Sequence, residues 1–279
     1  MADDHPRELP RRRLGRTDLV VTELGLGAMD TPHSEESHAT IEAALDAGIN
    51  FIDTARDYEG SEFLLGEVVR ARGGLPPGVY LESKTFSHTA AGAQRDVDRG
   101  LSFLGVDQIA VYQLHDISTQ EAWDEVRGED GALEGLKVAQ YRGLIGHIGV
   151  SCHNTALLAD LITSGEFDVV MLEYSAFFTE TASMIDLAVE HDVGVVVMRP
   201  LGGSGRTSVM RGKIEEGAAG ILTPANLLRY VLSNPGVSVA IPGARHPSRI
   251  HANVETVTTS PPMTEGEREA LQDAAARLY

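Results

Sequence analysis

Three apolar runs in the first half of the chain each break off at one ionisable residue. Asn50-Phe51-Ile52 runs into Asp53, with Tyr58 just beyond; Val79-Tyr80-Leu81-Glu82-Ser83 runs into Lys84; Ile109-Ala110-Val111-Tyr112-Gln113-Leu114 runs into His115. A short apolar run bounded by turn or helix signals reads as a buried strand. An ionisable residue at the C-terminal end of such a strand is where parallel α/β proteins keep their chemistry. Asp, Tyr, Lys and His gathered there form a proton-transfer set. In carbonyl reduction, negative charge grows on oxygen and a proton must be delivered to it. Tyr58 suits as donor once its phenol, ordinarily near a pKa of about 10, is lowered toward working pH. Lys84 supplies a cation that favours phenolate, Asp53 keeps a buried lysine charged, and His115 can orient the carbonyl oxygen. Singly, each has an ordinary structural reading: a half-buried tyrosine, an N-cap, a core histidine. Four together at one end of consecutive strands resist that reading.

The elements that must position them alternate along the chain. A hairpin followed by a strand over residues 14–28 precedes helix 35–47, the strand to Asp53, helix 61–70, the strand to Lys84, helix 89–104 and the strand to His115. One helix is expected over 120–140, then strand 144–151, a helix capped by Asn154, strand 168–172, helix 181–191 and strand 194–198. Pro200 to Gly217 is Gly-rich and reads as a mobile loop; helix 224–233, strand 237–241, helix 247–258 and an amphipathic helix 265–278 follow. About eight strand–helix units joined by short linkers favour a closed (β/α)8 TIM barrel, α/β in class, over a doubly wound sheet. The expectation is a single barrel domain over residues 1–279 with an N-terminal β-hairpin and an extra C-terminal helix.

Composition narrows the partners. The 279 residues are 42% hydrophobic and 23% charged, with 41 acidic against 23 basic residues and a net charge of -18. Such a surface repels nucleic acid and anionic membranes, and Arg11-Arg12-Arg13 reads as a solvated edge. Only Lys84, Lys137 and Lys213 are lysines, which makes Lys84 inside an apolar run conspicuous. Cys152 is the single cysteine, so no intrachain disulfide forms. With no apolar signal core and no membrane-length apolar stretch, a cytoplasmic monomer or small homo-oligomer is expected. No metal-ligand spacing occurs, and Gly25-x-Gly27 lacks the third glycine of a dinucleotide fingerprint.

The stretch Phe51-Ile52-Asp53-Thr54-Ala55-Arg56-Asp57-Tyr58, with Gly60-Ser61-Glu62 and Leu65-Gly66, resembles the aldo-keto reductase signature. The resemblance continues through Glu82-Ser83-Lys84-Thr85, Tyr112-Gln113-Leu114-His115-Asp116 and Ile148-Gly149-Val150-Ser151. It ends with Arg199-Pro200-Leu201-Gly202-Gly203 and Ile241-Pro242-Gly243-Ala244-Arg245. It covers nearly the whole chain and is closest to the bacterial side of the family. It implies a (β/α)8 barrel closed at the bottom by a hairpin, and NADPH-dependent interconversion of carbonyls and alcohols. It makes Tyr58 the proton donor, Lys84 and Asp53 its tuning pair, and His115 the substrate-orienting histidine. Ser151 matches a nicotinamide carboxamide ligand, Leu201 and Gly202 (beside Pro200) match pyrophosphate contacts, and Arg249 and Asn253 match contacts to the 2′-phosphate and adenine.

Several positions depart from the family pattern. Cys152 replaces an Asn and Met171 a Gln beside the carboxamide; Met198 stands where a Tyr stacks on the nicotinamide; Gly243 stands where a Lys meets the 2′-phosphate. Arg199 replaces a small residue near the phosphates, and Arg245 offers further charge. In so acidic a chain the Arg245, His246, Arg249, His251 cluster favours NADPH over NADH. The resulting expectation is an NADPH-dependent oxidoreductase acting on a small carbonyl or alcohol: aldehydes, ketones or sugar lactols. Two alternatives stay open: an NADPH-binding redox-sensing subunit with little turnover, and a barrel hydrolase or isomerase using Asp53 and His115 without nicotinamide.

Overall fold

The computed structural model describes residues 8–203 and 220–278. Its centre is an eight-stranded parallel sheet: β3 (Leu26–Gly27), β4 (Phe51–Asp53), β5 (Tyr80–Thr85), β6 (Ile109–Leu114), β7 (Ile145–Ser151), β8 (Val169–Glu173), β9 (Gly194–Met198) and β10 (Val239–Ala240). The strands neighbour one another in chain order. Parallel bridges Leu24–Ala240 and Gly27–Gly243 join the two edges, so the sheet closes as a (β/α)8 barrel. Glycine is required at this seam. A Cβ on Gly25 would lie 2.9 Å from the Phe51 carbonyl oxygen, and one on Gly27 would lie 2.7 Å from that of Ile241.

Valine and isoleucine dominate the strands because both faces are covered. One apolar cluster fills the barrel itself, from Phe51, Val111, Val169, Met171, Val196, Val239 and Ile241. A larger one lies between barrel and helices. The hairpin of β1 (Arg11–Arg13) and β2 (Val20–Thr22) plugs the N-terminal end. Its Leu14 and Val21 join the interior cluster, and Thr22 exchanges hydrogen bonds with Asn50 just before β4. The hairpin therefore begins at Arg11, three residues earlier than the sequence suggested. Arg12 is also no solvated edge: it pairs with Glu23 and donates to the carbonyls of Leu232, Asn234 and Val237.

The α-helices include α1 (Glu35–Asp46), α2 (Ser61–Ala71), α3 (Ala90–Leu104), α4 (Gln120–Arg127), α5 (Ala132–Tyr141), α6 (Thr155–Thr163), α7 (Ala182–Glu190), α8 (Pro224–Leu232), α9 (Pro247–Thr259) and α10 (Glu265–Ala276). Side-chain caps start most of them, as Ser34, Thr89, Thr119, Asn154, Thr223 and Thr264 each accept from a backbone amide of the first turn. The expected single helix over 120–140 is two. The chain breaks at Gly128–Gly131, where Asp130 takes a φ of 57° and a Cβ on Gly131 would sit 2.3 Å from the Val126 carbonyl. The break lets the Asp130 carbonyl accept from Ala90 at the start of α3. The Gly-rich stretch expected as a mobile loop lies mostly outside the described residues. Among the described residues no helix is long and apolar enough to cross a membrane.

Candidate active site

The strand ends bring Asp53, Tyr58, Lys84 and His115 together. Asp53 closes β4 and is registered with Glu82 on β5. Side chains two apart on a strand share a face, so Lys84 points into the barrel with Glu82, one layer nearer the C-terminal mouth. Lys84 is fully buried (0% exposed). Its Nζ forms an ion pair with Asp53 and donates to the Thr54 carbonyl at 2.8 Å. The third direction of the ammonium faces the Tyr58 hydroxyl at 3.3 Å.

Tyr58 reaches that point from the loop after β4, which is held down by its backbone. The Thr54 amide donates to the Glu82 carbonyl (2.9 Å), and the Ser61 amide, at the start of α2, donates to the Tyr58 carbonyl (2.7 Å). Gly60, at a φ of 76°, turns the chain into the helix. His115 follows β6 directly, its amide on the Thr85 carbonyl at 2.9 Å. Its ring lies edge-on to Tyr58 (centroids 5.8 Å apart, 81°) and stacks on Phe86 (3.9 Å, 22°).

The electrostatics differ in one respect from the sequence expectation. Burial raises the Tyr58 phenol, Asp53 raises it further, and Lys84 pulls it down without prevailing, so it is pushed up to about 12. The neighbouring cation limits the rise; it does not make the phenol acidic. Burial lowers Lys84, but Asp53, with Tyr58 and Glu82, reverses this and holds the ammonium above its usual range. Burial pushes the Asp53 carboxyl up against the pull of Lys84. Burial, with the Lys84 charge behind it, lowers His115 to about 3, so the imidazole is neutral at ordinary pH. Its Nδ1 is buried without a hydrogen-bond partner among the described residues. The arrangement is one continuous chain of polar contacts, from Asp53 through Lys84 to Tyr58, with a neutral imidazole beside its open end.

The aldo/keto reductase family model matches residues 23–220. The chain belongs to the aldo/keto reductase family. A Bacillus subtilis protein named as the uncharacterized oxidoreductase YqkF is 23% identical over 94% of this chain and 95% of its own length. The L-galactose dehydrogenase of Arabidopsis thaliana is 26% identical over 88% of each. Among solved structures, the holo form of aldo-keto reductase AKR11C1 from Bacillus halodurans superposes with a TM-score of 0.80 at 23% identity, covering 95% of this chain and 96% of that one. The family assignment carries a general oxidoreductase role and the use of a nicotinamide cofactor.

The residues expected to hold that cofactor lie on or after strands β7 to β10 and on α9. Ser151 ends β7 and is buried, its Oγ accepting from the Asp116 amide at 2.8 Å. Cys152 follows it, buried, with its thiol against Asn154 and Ser118. Met171 lies in the barrel interior, and Met198 ends β9 at the edge of that cluster. Arg199, at a φ of 52°, opens the turn through Pro200 and Leu201 to Gly202 and Gly203, whose φ values of 92° and 77° suit only glycine. The Arg199 guanidinium donates to Glu173 at 3.2 Å. Gly243 lies at the seam, where a Cβ would meet Asp30 at 2.7 Å. Arg245 pairs with that same Asp30 (3.0 Å), and His246 pairs with Glu36. Arg249 is exposed on the first turn of α9, and Asn253 is buried on the same helix.

Sequence reasoning passed over Phe86, Glu82, Asp30 and Glu173. Phe86 is readable in retrospect, two residues past Lys84 at the same strand end. Glu82 is a carboxylate inside an apolar run, two before Lys84. Asp30 meets Arg245 only across the barrel seam, and Glu173 meets Arg199 through the pairing of β8 with β9. Trp123 is buried in the core and packs on Phe167 at 5.7 Å.

Proposed function

We propose that this chain is an NADPH-dependent aldo-keto reductase that interconverts a small aldehyde, ketone or sugar lactol with its alcohol. The observation that carries the reading is the Tyr58 hydroxyl 3.3 Å from a Lys84 ammonium that is itself tied to Asp53 and Thr54. Tyr58 is the general acid. When charge develops on the carbonyl oxygen, the Tyr58 O–H bond breaks, the alcohol O–H forms, and the phenolate remains beside Lys84. A phenol held near 12 stays protonated at ordinary pH, which favours proton donation over abstraction. Neutral His115 donates a hydrogen bond to the carbonyl oxygen through Nε2, leaving the buried Nδ1 unprotonated, and fixes the oxygen against the phenol. Phe86, stacked on His115, walls the substrate space with an apolar face.

Ser151, Cys152, Met171 and Met198 would surround the nicotinamide, the turn from Arg199 to Gly202 the pyrophosphate, and Gly243, Arg245, Arg249 and Asn253 the adenosine end. Bound there, the nicotinamide supplies the hydride. Two guanidinium groups near the adenosine, in a chain of net charge -18, favour the phosphorylated cofactor. The L-galactose dehydrogenase among the relatives supports a sugar or sugar-like substrate.

The test is NADPH oxidation, followed by absorbance, against a panel of aldehydes, ketones and aldoses, with NADH in parallel. Turnover of at least one carbonyl with NADPH is expected. Fluorescence-detected NADPH binding with no turnover of any carbonyl would instead favour a redox-sensing subunit.

A further inference from the structure

Below the Lys84 ammonium lies a second carboxyl that the proposed reaction does not use. Glu82 sits in the middle of β5, fully buried, registered with Asp53 on β4 and on the same face as Lys84. Its Oε2 accepts from Gln113 Nε2 at 2.7 Å. Its Oε1 is buried with no donor among the described residues, and the carboxyl lies within hydrogen-bonding reach of Asp53. The charged and titratable groups facing Glu82 are Asp53 on β4, Lys84 on its own strand and, beyond them, the Tyr58 hydroxyl; β6 brings the neutral Gln113. Phe51, Val111, Val169 and Met171 are among the apolar side chains of the interior around them.

We propose that Glu82 is a positioning residue of this site: it carries a proton and donates it to Asp53, so that Asp53 remains the carboxylate to which Lys84 is tied. The inference rests on the active-site reading above and extends it by one residue.

The argument is a charge count. Two ionised carboxylates with one ammonium would leave a net negative charge in an apolar interior, an arrangement that burial strongly disfavours. Two carboxyls in contact share a proton, because both cannot ionise side by side. The hydrogen bonds assign it. Asp53 already receives the ammonium, so it suits the charged form. Glu82 receives one donor, on Oε2, and an ionised Oε1 would have none. Protonated at Oε1, Glu82 satisfies that atom and gives Asp53 a second donor. Burial, reinforced by the charge of Asp53, pushes the Glu82 acid well above the usual range, in the same direction. The barrel also makes room for the Gln113 side chain that fixes Oε2: a Cβ on Gly149, across on β7, would fall 2.9 Å from Gln113 Cγ. An ionised Glu82 adds to Asp53 in raising the Tyr58 phenol, and a proton on Glu82 removes that contribution.

The test has two arms. In the cofactor-free protein at neutral pH, infrared difference spectroscopy of wild type against Glu82→Gln should show the carbonyl stretch of a protonated carboxylic acid that the variant lacks. If the variant does not fold, the wild-type band alone decides: it should persist from about pH 5 to 9, where solvent-exposed carboxyls have lost theirs. No such band in wild type, or an unchanged band in Glu82→Gln, overturns the proposal. In the second arm, Glu82→Met removes the donor at similar volume. It should lower kcat about tenfold, as loss of a hydrogen bond to a charged group does, and move the phenol ionisation in the pH profile. Glu82→Gln, which can donate to Asp53 and accept from Gln113, should recover most of both. Equal losses in the two variants, or none in either, overturn the positioning role. A wild type that turns over no carbonyl refutes the active-site reading, while the infrared arm still reports the proton.

Discussion

The two walls of the barrel mouth are built on opposite plans. The wall formed by β4, β5 and β6 holds its polar groups buried and linked to one another, from Asp53 and Lys84 to Tyr58, before any ligand arrives. The wall formed by β7, β8, β9 and the seam to α9 holds its cations near the surface and ties them to carboxylates of the chain, Arg199 to Glu173 and Arg245 to Asp30. The first arrangement is preorganised: a charge in low dielectric interacts strongly and pays no reorganisation when the reaction begins. The second is exchangeable. A partly exposed ion pair is worth about 0–1 kcal/mol, so an incoming phosphate can replace a carboxylate at little cost. Chemistry calls for the first kind of wall, and reversible cofactor binding for the second.

Four perturbations test that contrast. The largest effect belongs to Tyr58→Phe, which removes the proton donor and nothing else from the linked wall. Turnover should fall by roughly 10²–10⁴-fold, measured as NADPH oxidation, while fluorescence titration shows cofactor binding retained. Unchanged turnover would reject the assignment of Tyr58. Next comes Lys84→Met. It strips the buried counter-ion from Asp53 and should destabilise the fold by about 3–5 kcal/mol, read as a lower urea midpoint. A midpoint within error of wild type would mean that the wall is not held by its charges.

The third perturbation is acid. His115 titrates at about 3 in the folded protein and near 6.5 when unfolded. A depressed pKa means that the unfolded chain binds the proton first. The contribution is fully present above about pH 6.5 and is lost as pH falls toward 3, at about 1 kcal/mol per pH unit. His115→Gln should flatten this limb of the stability–pH curve; an equally steep limb in the variant would assign it to other groups. The smallest effect is on the exchangeable wall. Asp30→Asn releases Arg245, and NADPH should bind about threefold more tightly, the scale of an exposed pair, with NADH unchanged. Equal tightening for both cofactors would show that Arg245 does not face the 2′-phosphate.

Much of this molecule was legible beforehand. The strand end at Asp53, the strand end just before His115, the cap Asn154 and strand 194–198 follow from short-range patterns: apolar runs, capping side chains, glycine stops. The long helix expected over 120–140 failed for a reason no periodicity reveals. Its apolar spacing continues on both sides of the break, but the turn at Asp130 is fixed by a hydrogen bond to Ala90, far away in sequence. The Arg11–Arg13 run misled in the same way, since the partners that draw Arg12 inward lie 220 and more residues downstream.

The order of amino acids was sufficient to set the alternation of elements, the barrel, and the side chains that meet at its mouth, because these depend on local spacing and on which strand ends point the same way. It was not sufficient for the protonation of those side chains. A cation beside a phenol suggested an acidic tyrosine, yet Tyr58 is pushed up to about 12. The pairing of Arg245 with Asp30, 215 residues away, was equally hidden. Proton affinity is set by desolvation and by the sum over every charge within a few ångströms. That sum has no value until the chain has closed around the site.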